Sequence, residues 1–85
     1  MIVPTVHLNG TSKDELLRQV RDAVKALKPA IDALIEAGPN GRDYYLAGPD
    51  ALREAQNEHH LRLSRLRSVR EELEGLYEAI EEQGR

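Results

Sequence analysis

The chain has 85 residues, a formal net charge of −3, and no cysteine, phenylalanine or tryptophan. That length is one domain, spanning residues 1–85. The missing cysteine removes disulfides, thiolate metal sites and thiol nucleophiles, and the acidic balance argues against a general nucleic-acid binder. No run approaches the roughly 20 apolar residues that span a bilayer. The first seven residues have neither the basic region nor the apolar run of a signal peptide, and the missing cysteine fits the expected cytoplasmic location. With three tyrosines as the only aromatic residues, the core must be aliphatic.

Residues 1–11 read as an N-terminal arm. Val3, Val6 and Leu8 are apolar, Pro4 forbids helix locally, and Asn9-Gly10 is a turn signal. The arm is expected to lie extended against a helix groove.

The first helix is predicted over residues 12–37. Ser12 with Glu15 three residues later is a capping box, and Asp14 favours the positive end. Thr11 is the alternative cap. Leu17, Val20, Val24, Leu27, Ile31 and Leu34 recur three and four apart as a helix seam. Leu16, Ala23, Ala30 and Ala37 widen the stripe, and small residues there would let another helix approach closely. Pro29 falls opposite the seam, where water can satisfy the carbonyl it frees, so a kink is expected there. A break at Lys28 is the alternative. Gly38 as a left-handed cap and Pro39 end the helix.

Residues 38–48 form the connection, which is long for a helical hairpin. It carries Arg42-Asp43 beside Tyr44-Tyr45. Gly48 is the expected N-cap of the second helix, with Pro49 in its first turn and Asp50 at its positive end.

The second helix is predicted over residues 49–83. Its seam runs through Leu52, Ala55, Leu66, Val69, Leu73, Leu76 and Ile80, interrupted by His59 and Arg62. Packed antiparallel, the longer second helix is expected to overhang the start of the first. That would place Leu73, Leu76, Tyr77 and Ile80 under the arm or a second chain. A lone hairpin buries one face of each helix, which is rarely enough. The expected fold is therefore all-α: a long antiparallel hairpin with a short arm. It is expected to assemble into a homo-oligomeric bundle, most simply a four-helix dimer.

Two groups could carry chemistry. Gln56, His59 and Arg62 would line a mid-bundle pocket suited to an anion, with Arg62 binding phosphate or carboxylate and His59 adding a hydrogen bond. The structural alternative makes His59 and Arg62 register-setting polar residues, with Glu58 offsetting Arg62. In the loop, Tyr44 or Tyr45 would stack on a base while Arg42 meets a phosphate, and the Asn40-Gly41 backbone would add N–H donors. The structural alternative has one tyrosine plugging the bundle end and Arg42-Asp43 forming an ion pair. Loop and seam could close one site.

The band from Arg62 to Arg70 reads as a solvated face. Arg65 pairs with Glu58 or Glu72 in that reading, and Arg67 with Glu71 or Glu74. In an oligomer the band could instead form an electropositive ring. His7, His59 and His60 are too scattered for a metal. Neither Ser12 nor Ser64 has His and Asp partners in a motif, and Asp43 with Glu58 implies no water-excluding pocket. Neither enzyme nor cofactor is expected.

His-Leu-Asn-Gly-Thr-Ser ahead of the first helix, Pro-Asn-Gly-Arg-Asp-Tyr-Tyr in the loop, and the Ala-x-x-Glu-His run ending at His59 resemble a group of small helical proteins encoded by phages and prophages. The likeness covers nearly the whole chain and assigns no role to these residues. It implies a phage accessory role in the host cytoplasm. Short helical phage oligomers include sponges that sequester host immune nucleotides and proteins that cap or inhibit a host protein. The leading expectation is a non-enzymatic protein binding a small anionic, nucleotide-like ligand through Arg42, Asp43, Tyr44, Tyr45, Gln56, His59 and Arg62. The alternative is a protein-interaction module, as a virion, replication or host-inhibitor component. Nucleic acid and membrane are not expected partners.

Overall fold

The structure is a computed structural model that describes residues 1–84. It is all-helical: α1 (Lys13–Glu36), 3-10 turns over Gly41–Asp43 and Tyr45–Ala47, and α2 (Ala51–Glu81). The two long helices pack as an antiparallel hairpin of 61 × 21 × 18 Å. Among the described residues, no helix is long and apolar enough to cross a membrane.

Ser12 caps α1, its Oγ accepting the Glu15 N–H at 3.2 Å. Glu15 also accepts from Arg18, which reaches Asp22 at 2.9 Å. The Arg18 and Gln19 donors hold the Glu15 carboxyl below its ordinary value of 4.5, and Glu15 holds the Arg18 guanidinium above its own. A depressed carboxyl stabilises the fold above its unfolded pKa and loses that contribution as pH falls through the folded one. These groups are solvent-exposed, so the contribution is small and screened by salt.

α1 runs unbroken through Pro29, which faces solvent. Its end differs from the expected left-handed cap. Gly38 is not in the left-handed region; the C-cap is Ala37, at φ −78°. Gly38 is needed for space instead. A β-carbon there would stand 3.1 Å from the Ile35 carbonyl oxygen and 3.6 Å from the His59 ring.

Each helix borrows its C-terminal cap from the other. The last carbonyls of any α-helix lack intrahelical partners, and neither last turn here carries a basic residue. The Gly38 N–H donates to Ile35 O rather than Leu34 O. His59 Nε2 donates to Leu34 O at 2.7 Å in its place. At the opposite end, Lys13 Nζ donates to Glu81 O at 2.7 Å and to Gln83 O.

These two ties set the level of one helix against the other, and they correct the expected overhang. The start of α1 lies against the end of α2, so Leu73, Leu76, Tyr77 and Ile80 are not left beyond α1. Ile80 is 1% exposed. The extra length of α2 projects past the other end of α1, over residues 51–57. The 3-10 turns back onto it there, and a β-carbon at Gly41 would stand 3.5 Å from Leu52 Cδ2. Gly48, at φ +110°, reverses the chain in a conformation that essentially only glycine adopts. Asp50, not Gly48, occupies the N-cap position of α2.

The α2 seam also differs by one choice at each of two turns. Leu63 is buried where Arg62 was expected, and Arg70 is half-buried where Val69 was expected. Both choices keep three- and four-residue spacing. Turning Leu63 inward leaves the Arg62 guanidinium hydrated, which avoids the cost of a buried charge. The core is thin: among the described residues the buried aliphatic side chains are Ile31, Leu63 and Ile80, joined by His59.

Gln83 clamps the arm. Its Oε1 accepts the Val6 N–H at 2.9 Å and its Nε2 donates to Pro4 O at 2.7 Å, as a neighbouring strand would. Met1 reaches back to Gly75. The expected result of Gln83→Ala is faster amide exchange confined to the arm, with a global loss of only about 0.5–1.5 kcal/mol, since one amide's net hydrogen bonds are at stake. Hydrogen-exchange mass spectrometry would show it.

Candidate functional site

The structure separates the residues that the sequence placed together. His59 is 8% exposed and belongs to the hairpin interior through its bond to Leu34 O. Because a carbonyl oxygen can only accept, Nε2 must carry the proton. Gln56 and His59 line a shallow groove of about 220 Å³ with Ile35, Gly38, Pro39 and His60. Arg62 is not in that groove. It projects on the opposite side, beside Leu34, Arg65, Leu66 and Val69, and donates to Glu58 Oε2 at 3.4 Å. The Glu58–Arg62 pair is thus present, and both residues are largely exposed.

The loop residues form a separate group at the tip of the hairpin. Asn40 Oδ1 accepts the Arg42 N–H at 3.0 Å, and the Asp43 N–H donates to Asn40 O at 3.0 Å. This Asx turn fixes the first 3-10 turn. It also occupies the Arg42 backbone donor, while the Asn40 and Gly41 N–H groups make no hydrogen bond among the described residues. Tyr44 is half-buried, while Tyr45 is 74% exposed.

Arg42 and Asp43 are exposed, and neither makes an ion pair among the described residues. The Arg42-Asp43 pair expected from adjacency is therefore missing. Neighbours in a tight 3-10 turn point in different directions, so sequence adjacency does not bring the charges together.

In the arginine band, Arg70 pairs with Glu74 at 3.1 Å. Arg65 and Arg67 make none of their expected pairs. No group of three His, Asp or Glu side chains among the described residues could hold a metal ion.

Sequence reasoning missed Lys13 and Gln83. Lys13 looked like an ordinary first-turn residue. A signal existed, because neither helix ends with a basic side chain to meet its own carbonyls. Gln83 carried no signal, since an amide after a helix end is common.

The loop can therefore offer an exposed aromatic face and a hydrated, unpaired guanidinium on a backbone fixed by hydrogen bonds. It forms one wall of a site rather than an enclosed cavity. The chain matches no protein-family model, no curated protein and no solved structure.

Proposed function

We propose that the protein is a non-enzymatic phage accessory protein whose loop end binds a small anionic, nucleotide-like ligand, in an assembly of copies that withholds a host immune signal. The observation that supports the ligand most is the exposed Tyr45 ring three residues after the unpaired Arg42. The hairpin uses neither side chain for its own packing. Base–aromatic stacking contributes about 1–3 kcal/mol per base, and guanidinium–phosphate bonds are charge-assisted.

Tyr44 anchors the loop and Asp43 lies in the first 3-10 turn, which Asn40 caps, in this reading. Gln56 and His59 form the adjoining groove wall. Arg62 contributes positive field rather than a direct contact. A second reading, a protein-interaction module, is favoured by the thin core and the half-exposed apolar side chains along both helices.

Arg42→Ala and Tyr45→Ala are each expected to weaken nucleotide binding at least about 10-fold, the equivalent of about 1.4 kcal/mol. Far-UV circular dichroism should not change. Isothermal titration with nucleoside phosphates and cyclic nucleotides checks this. Undiminished binding by the double variant would remove the loop site.

A further inference from the structure

We infer that two copies pair through one face of the hairpin, α1 against α1, antiparallel about a twofold axis at Leu27. The inference rests on the assembly half of the proposed function and not on its ligand.

The two faces of the hairpin differ sharply. One carries Arg21, Arg67, Arg70, Glu71, Glu74 and Glu78 along its grooves. The other carries the stripe of α1 from Leu16 to Ala37, spaced alternately four and three residues, without a charge. Leu34 of that stripe shares a groove with Leu66 and Val69, flanked by Arg62 and Arg65, on the side away from Arg67, Glu71 and Glu74. Ala23, Ala30 and Ala37 are exposed, and Val69 is 45% exposed. Beyond the stripe, Gln19, Ala26 and Ala33 extend the uncharged sector.

The stripe reads almost the same from either end about Leu27. Turned antiparallel, Leu27 meets Leu27 of a second copy, Ala23 meets Ala30, Val20 meets Leu34 and Leu16 meets Ala37. A twofold contact requires such a self-complementary patch, and the spacing is that of a coiled-coil seam. Alanine rungs beside the leucine rungs let the backbones approach closely.

Charge agrees with the same axis. The interhelix ties put Leu27 level with Leu66 and Arg67. An axis at that level sets Arg62 opposite Glu72 of the second copy. Glu72 makes no ion pair among the described residues, and Arg62 has only the long contact to Glu58. The stripe is about 32 Å long at about 1.5 Å per residue. Across a hairpin 21 Å wide, that gives a footprint of about 670 Å² per copy, within the size of a stable interface of about 600–1,000 Å² per side.

The chain has no cysteine, so engineered thiols report without background. Ala23→Cys and Ala30→Cys proteins should each fail to cross-link alone under mild oxidation, and an equimolar mixture should give the mixed disulfide dimer. Ala30→Glu should weaken dimerisation at least about 100-fold by sedimentation, because symmetry buries two carboxylates, with helix content unchanged. Self-cross-linking of either single variant, or a dimer that withstands Ala30→Glu, overturns the inference. So does a wild-type monomer. A dimer that binds no nucleotide would refute the ligand reading and leave this interface standing.

Discussion

His59→Ala should lower the free energy of unfolding by about 2–6 kcal/mol, through two losses that a second substitution separates. Alanine leaves a cavity where the ring packed against Gly38, and it leaves the Leu34 carbonyl without its donor. Cavities and orphaned buried acceptors each cost about 1–3 kcal/mol. His59→Phe keeps most of the ring volume and removes only the donor, so it should cost about 1–3 kcal/mol. Denaturant titration at fixed protein concentration measures both. If phenylalanine is as stable as histidine, the cap contributes nothing, and His59 is a packing residue alone. Fixed concentration matters because self-association raises apparent stability by mass action.

Ile80→Ala should be comparably damaging, at about 2–5 kcal/mol, the usual cost of removing a buried isoleucine. Ile80 is the most deeply buried side chain of the core, at 1% exposure. It sits at the end where Lys13 and Gln83 join α1, α2 and the arm. The loss should therefore come with faster exchange in the arm and the first turns of α1. A loss confined to global unfolding, with the arm still protected, would mean that arm and core are not one cooperative unit. Leu46, 86% exposed in the loop, is the matching control, and its replacement by alanine should fall within about 0.5 kcal/mol.

Much of the fold was legible because helix signals are local. The Ser12 and Glu15 spacing, the three-and-four recurrence in both helices, and Pro39 were enough to place two helices and their connection. What periodicity cannot give is rotation and level. Arg62 and Leu63 both satisfy the spacing, and only the relative cost of burying each side chain decides between them. The level of the helices is not legible either, because nothing in the spacing announces the two 3-10 turns. Those turns fold back on residues 51–57, which moves the unpaired length of α2 to the loop end. Gly38 matches the sequence expectation of a helix end but not of a left-handed cap: its tight contact is the Ile35 carbonyl oxygen, with the His59 ring at ordinary contact distance.

The site was legible only as residue types. Tyr45 and Arg42 stand exposed as a binding loop requires, but His59 and Arg62 went to opposite faces. The polar break in the α2 seam was a helix cap drawn from a distant turn, and no short-range pattern announces that.

Native mass spectrometry of protein freshly purified from cells, and again after mixing with nucleoside phosphates and cyclic nucleotides, tests the proposed function most directly. The wild type should appear as an oligomer carrying nucleotide mass. The Arg42→Ala, Tyr45→Ala double variant should keep the oligomer and lose the added mass. A wild-type oligomer that takes up no nucleotide from either source would contradict the ligand reading and leave the hairpin as a protein-interaction module.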